Sequence, residues 1–110
     1  MFNKLSKKIH DNNLKNGWGE ASFLEMMCLI HTEISEAVED YRNNKNILDF
    51  DYIEDKNGYS KPMGIPSELA DIIIRVLDTC GKFDIDIDKA INEKIEYNTK
   101  RGYKHGNKKI

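Results

Sequence analysis

The chain has 110 residues, of which 33% are charged, and its formal net charge is −2 at pH 7. This length and composition are typical of one globular domain, which we place at residues 1–110, and they fit a helical globular protein better than a disordered one. The charge is unevenly distributed, because the segment from Lys94 to the end has six Lys and Arg residues against one Glu.

Neither a signal peptide nor an apolar run long enough to span a membrane is evident. We therefore expect a cytoplasmic protein that does not act at a membrane. Cys28 and Cys80 fall in apolar stretches, and so we expect both to be buried free thiols in a reducing compartment.

Apolar spacing predicts two helices in the first half of the chain. The first covers residues 2–14, and the second runs from about Ala21 to Asn43. Glu33, Glu36 and Asp40 lie along one flank of the apolar stripe of the second helix, and they therefore edge its buried face. That stripe consists of Phe23, Met27, Ile30, Ile34, Ala37, Val38 and Tyr41.

Residues 44–65 break the helical pattern. The turn signal Asp55–Gly58 stands between two short β-prone runs, which predicts a hairpin. A connection this long is usually functional or mobile. We expect residues 50–63 to form a flap that lies over the site and is mobile without ligand, with Tyr52 or Tyr59 as contacts to that ligand.

The third helix is predicted to start at Pro66 or Ser67 and to end at Cys80–Gly81, with Gly81 as its C-cap. Most of its circumference is apolar, and so it should be the central helix of the fold. A single polar stripe interrupts the apolar surface, and this stripe should face a cavity or a thin solvent edge. It consists of Glu68, Asp71, Arg75 and Asp78.

A fourth helix should be capped by Asp86 or Asp88 and run to about Arg101. We expect four of its residues to face inward: Ala90, Ile91, Ile95 and Asn98. The predicted fold is all-α, a bundle of about four helices with a long loop or small hairpin between the second and third.

Two acidic pairs, Glu33–Glu36 and Glu68–Asp71, are the clearest functional signal. Each pair is spaced by three residues, and so both carboxylates project from one side of their helix. Two such helices packed face to face would gather four carboxylates, each pair repelling by roughly 3 kcal/mol at ~5 Å in an effective dielectric of ~20. Solvation, protonation or bound cations would relieve this repulsion, and the oxygen ligands suit Mg²⁺, Mn²⁺ or Ca²⁺.

A single Glu-x-x-Glu pair is more often a solvated helix face than a metal site. Here both pairs border apolar stripes, and so we consider a metal site about as plausible as a solvated helix face. A di-iron site would need Glu-x-x-His pairs, and none of His10, His31 or His105 forms one.

The chain resembles the MazG-like nucleoside triphosphate pyrophosphohydrolases, all-α nucleotide pyrophosphatases. The resemblance covers residues from about 17 to 106, and residues 44–65 look like an insertion relative to most members. It rests on Glu33-x-x-Glu36-Ala37, on Glu68-Leu69-Ala70-Asp71-Ile72-Ile73-Ile74-Arg75, on Lys94-x-x-x-Asn98-x-x-Arg101, and on the ending Tyr103-Lys104-His105-Gly106.

The resemblance implies Mg²⁺-dependent hydrolysis of a nucleoside triphosphate to the monophosphate and pyrophosphate, with Mn²⁺ as a possible substitute for Mg²⁺. It makes Glu33, Glu36, Glu68 and Asp71 the metal ligands, one of which or a neighbouring carboxylate would take the proton from the attacking water. Phosphate contacts would come from Lys94 and Arg101, with Asn98 as a hydrogen-bonding partner. The competing interpretation is that Lys94 and Arg101 form a solvated basic stripe near the C-terminus of their helix, where the helix dipole favours positive charge.

Other residues have two open interpretations. Trp18 is either a base-stacking residue or, more often in such positions, a core anchor. Arg75 is expected to orient Asp71, four residues before it, through a salt bridge. The tail with Lys104 either contacts phosphates or is solvated.

There are two alternatives to the enzyme. One is a catalytically weak family member that acts as a regulatory module by binding nucleotide or a partner. The other is a protein that binds nucleic acid through its basic C-terminal segment. The acidic centre disfavours nucleic acid, because it repels phosphates. A homodimer or homotetramer is expected, since the apolar area of the second and third helices exceeds what one subunit can cover.

Overall fold

The fold is described from a computed structural model, and the structure describes residues 1–101. It consists of four helices with a two-stranded antiparallel hairpin between the second and third, which confirms the predicted mostly α-helical class. Among these residues, no helix combines the length and the apolar character that crossing a membrane requires. The elements are α1 (Phe2–Lys15), α2 (Phe23–Arg42), β1 (Asp51–Glu54), β2 (Ser60–Met63), α3 (Ile65–Phe83) and α4 (Ile87–Lys100).

Helix α3 is central, because both α1 and α2 pack against it. The small core contains Met26 from α2 and Leu77 and Cys80 from α3. The buried hydroxyl of Ser6 donates a hydrogen bond to the carbonyl oxygen of Leu77 at 2.6 Å, which satisfies its polar group inside the α1–α3 contact.

Gly81 lies inside α3 and is not the predicted C-cap. The helix continues to Phe83 and ends at Asp84, which adopts a left-handed conformation with φ +54°. A Cβ at Gly81 would lie 2.7 Å from the Cβ of His10 and 2.7 Å from the carbonyl oxygen of Ser6. Gly81 is therefore a packing residue that lets α1 cross α3 closely.

Helix α2 starts in a capping box that fixes its first turn. The hydroxyl of Ser22 accepts from the Glu25 backbone amide at 3.2 Å, and the Glu25 carboxylate accepts from the Ser22 amide at 3.0 Å. The helix therefore begins two residues later than the predicted Ala21.

Helix α4 packs mainly against the start of α1. Asp86 caps α4 by accepting from the amide of Lys89 at 3.1 Å, while Asp88 accepts from the amides of Phe2 and Asn3 at 2.8 and 3.1 Å. The prediction that one face of α4 points inward holds for the half-buried Ile91 only, because Ala90, Ile95 and Asn98 are exposed. Amphipathic spacing identified the face, but no element among residues 1–101 covers the rest of it.

The apolar stripe predicted for α2 is also largely uncovered. Ile34 and Val38 on α2, and Leu69 and Ile73 on α3, are all exposed. The radius of gyration is 16.8 Å, whereas a compact domain of this length has about 13 Å. Cys80 is buried as expected, but Cys28 is exposed, so its predicted burial is wrong.

Candidate metal centre

Helices α2 and α3 bring three of the four predicted ligands together. Oxygen atoms of Glu33, Glu36 and Glu68 all lie within 4.8 Å of one another. Glu33 is buried, Glu68 is half-buried and Glu36 is exposed, so the group stands at the edge of the α2–α3 contact. Both acidic pairs contribute to it, as their spacing predicted.

Glu68 is the residue most perturbed by this arrangement. Burial, followed by the neighbouring Glu36 carboxylate, raises its pKa to about 7 from 4.5, with smaller effects of Asp71 and Asp40. Its Oε2 atom is buried and has no hydrogen-bond partner among the described residues. Two ionised carboxylates offer each other no donor, so a proton, a cation or an ordered water molecule would satisfy this oxygen.

Asp71, the fourth predicted ligand, lies beside the three glutamates without belonging to their close group. Burial, followed by the charge of Glu33, raises its pKa, and the positive charges of Arg75 and Lys61 oppose that rise. Its charge also contributes to the raised pKa of Glu68, so Asp71 interacts with glutamates of both helices.

Arg75 has a different partner from the one predicted. Its Nε donates to Oε1 of Glu33 at 2.7 Å, so it pairs across the α2–α3 contact instead of with Asp71 four residues before it. The pairing satisfies the buried Glu33 carboxylate, which would otherwise be costly to desolvate. Arg75 thus positions one member of the cluster, and its charge also acts on Asp71.

A cavity of about 800 Å³ adjoins the cluster. Three residues of the polar stripe of α3, Asp71, Arg75 and Asp78, line it together with Glu33, which agrees with the prediction that this stripe faces a cavity. Trp18 also lines the cavity and is 72% exposed. The core-anchor interpretation of Trp18 is therefore wrong, and its ring is available to a ligand.

Two further side chains shape this cavity. Lys82 donates hydrogen bonds to the carbonyl oxygens of Gly19, at 2.9 Å, and of Ala21, and so it holds the segment that carries Trp18. Asp78 contacts His10 Nδ1 at 2.8 Å, which connects the cavity wall to α1.

The predicted phosphate-binding residues lie elsewhere in the chain. Lys94, Asn98 and Arg101 belong to α4 or its end, and none of the three lines the cavity. Lys94 and Arg101 instead stand over the Tyr97 ring, 5.7 and 5.3 Å from its centre. Lys104 lies outside the described residues.

The hairpin differs from the predicted flap, because neither Tyr52 nor Tyr59 lines the cavity. β2 instead packs on α3, and it carries Lys61, whose charge acts on Asp71. Sequence reasoning missed Lys61, since a lone lysine in a turn-rich segment belongs to no motif.

Comparisons with models of protein families, with curated proteins and with solved structures find no match to this chain. The resemblance to the MazG-like family therefore remains a prediction from the motifs quoted above.

Proposed function

We propose that this protein is a Mg²⁺-dependent hydrolase that converts a ribo- or deoxyribonucleoside triphosphate to the monophosphate and pyrophosphate. The observation that carries the proposal is the close group of Glu33, Glu36 and Glu68, with Asp71 beside it. A bound cation would relieve their mutual repulsion and satisfy the orphaned oxygen of Glu68. An all-oxygen donor set of this kind fits Mg²⁺, and Mn²⁺ as a substitute.

The chain's own residues have distinct roles in this proposal. The four acidic residues would hold the metal, which would neutralise charge on the phosphates and lower the pKa of water. Arg75 holds the Glu33 carboxylate in place through their ion pair. A cluster carboxylate, or the nearby Asp40, accepts the proton of the attacking water.

The adjoining cavity suits the nucleoside part of the substrate. Its volume of about 800 Å³ is in the range that holds a nucleotide-sized ligand. The exposed ring of Trp18 offers a flat surface on which a base can stack. Because the cavity adjoins Asp71, a base held there would leave its phosphates at the carboxylate cluster.

We further propose that the active species is a homodimer or homotetramer. The uncovered apolar stripes of α2 and α3 favour a second copy as their partner. In such an assembly, Lys94, Asn98 and Arg101 of one copy contact the phosphates in the site of another, since they do not reach the cluster of their own chain.

The proposal is tested by measuring pyrophosphate release from each ribo- and deoxyribonucleoside triphosphate, with Mg²⁺ and with EDTA. We expect turnover of at least one nucleotide with Mg²⁺ and none with EDTA. A fully folded protein that hydrolyses none of them contradicts the enzyme. Nucleotide binding without turnover would favour the alternative, a catalytically weak regulatory module.

A further inference from the structure

Lys61 occupies the less exposed face of the hairpin. In the antiparallel register, Lys61 lies opposite Ile53, and Met63 lies opposite Asp51. Alternate residues of a strand share a face, so these four side chains project on the same side. Met63 and Asp51, at the base of the hairpin, are half-buried, whereas Lys61 and Ile53 are exposed, as is Pro62 on the other side. Lys61 therefore shares a face with the two residues that pack at the base of the hairpin, and its own side chain is open to a ligand.

The base of the hairpin is held against the start of α3. The hydroxyl of Ser67 donates to the carbonyl oxygen of Pro62 at 3.3 Å. Gly64 is buried with φ +98°, and a Cβ there would lie 2.9 Å from the carbonyl oxygen of Asp49. Lys61 precedes a proline, which restricts its backbone to extended conformations. The backbone of Lys61 is thus fixed relative to the first turns of α3, where the acidic pair lies.

The other cations near the cluster already have partners. Arg75 is paired with Glu33 at 2.7 Å, and Lys82 is bound to two backbone carbonyl groups before α2. Within residues 1–101, Lys61 makes neither an ion pair nor a side-chain hydrogen bond. Lys61 directly precedes Pro62, whose carbonyl oxygen accepts from Ser67, and Ser67 is the neighbour of Glu68 in α3.

We infer that the ammonium group of Lys61 binds the phosphate chain of the nucleotide at the edge of the carboxylate cluster. The inference rests on the proposed function, and it gives the hairpin a role in substrate binding. A cluster of carboxylates repels a polyphosphate, so an unpaired cation beside it offsets part of that repulsion. A lysine binds phosphate as a point charge and needs no fixed fork geometry.

Two ligands of opposite charge test the inference in the full-length protein. Calorimetric titration measures Mg²⁺ alone, and then inorganic tripolyphosphate in the presence of Mg²⁺. Lys61→Ala should weaken tripolyphosphate binding about tenfold, the loss typical of a charge-assisted hydrogen bond. The same change should leave Mg²⁺ affinity equal or higher, because a cation that repels the metal has been removed.

Matched variants separate a specific contact from a general charge effect. Lys61→Arg should retain most of the affinity, and Lys56→Ala, in the turn at the far end of the hairpin, should retain all of it. Unchanged tripolyphosphate affinity in Lys61→Ala, an equal loss in Lys56→Ala, or no binding by the wild-type protein each overturns the inference.

Failure of the proposed function gives a different pattern. Lys61-dependent binding of tripolyphosphate without hydrolysis of any nucleotide would support the inference and contradict the enzyme. Hydrolysis that does not depend on Lys61 would support the enzyme and contradict the inference.

Discussion

Replacing Glu68 by Gln should stabilise the metal-free protein at pH 8. The pKa of Glu68 is about 7 in the folded protein, against an ordinary value of 4.5. An acid whose folded pKa is raised favours folding at low pH, and this contribution is lost as the pH rises from about 4.5 through 7. At 1.36 kcal/mol per pH unit the loss at pH 8 is at most about 3 kcal/mol, and partial exposure of the carboxyl reduces it to roughly 1–2 kcal/mol.

Gln has no proton to lose, so Glu68→Gln should avoid this penalty. We expect its Tm in EDTA at pH 8 to be higher than that of the wild type by roughly 5–10 °C. Most of the difference should disappear at pH 5, where Glu68 is protonated in the folded state. Saturating Mg²⁺ should then stabilise the wild type more than the variant, because the variant has lost a ligand.

Glu39→Gln is the matched control, since Glu39 lies on α2, is exposed and does not belong to the cluster. Its Tm should follow that of the wild type in every buffer. The reasoning is refuted by a Glu68→Gln protein that is less stable than the wild type in EDTA at pH 8. It is equally refuted if Mg²⁺ raises both Tm values by the same amount.

Three further predictions concern the site and the fold. Glu36→Gln and Asp71→Asn should each remove most pyrophosphate release while leaving the helical circular dichroism intact; near wild-type turnover would contradict their assignment as ligands. Gly81→Ala should lower the free energy of unfolding by about 1–3 kcal/mol through overpacking against α1, although the same change in an open helix would stabilise it by up to about 1 kcal/mol; a stabilised variant in urea denaturation would disprove the close crossing. When inactive Glu36→Gln and Arg101→Ala proteins are mixed and exchange subunits, up to about a quarter of wild-type activity should be restored if the sites of a homodimer are built from both subunits. No recovery would mean that Arg101 acts within its own chain or has no role in the site.

Elements with a strong local signal were predictable. Helix α3 follows from its apolar periodicity, and the hairpin follows from the turn signal at Asp55–Gly58. The close group of Glu33, Glu36 and Glu68 was also accessible from sequence, because three-residue spacing fixes a side of each helix and the two helices that carry the pairs pack on each other.

The remaining features depend on contacts that local patterns do not encode. Gly81 carries the same signal as a helix terminator, and only the crossing of α1 reveals its packing role. Arg75 has acceptable acidic partners both four residues away and across the helix contact, so spacing alone chose the wrong one. Lys61 became a candidate only when strand pairing placed it beside α3.

The central claim is tested most directly by following the products of a Mg²⁺ reaction with phosphorus NMR. For the nucleotide that turns over best, we predict the monophosphate and pyrophosphate in equal amounts, with both formed far more slowly by Asp71→Asn. Formation of the diphosphate and orthophosphate, or the same products at an unchanged rate from Asp71→Asn, would contradict it.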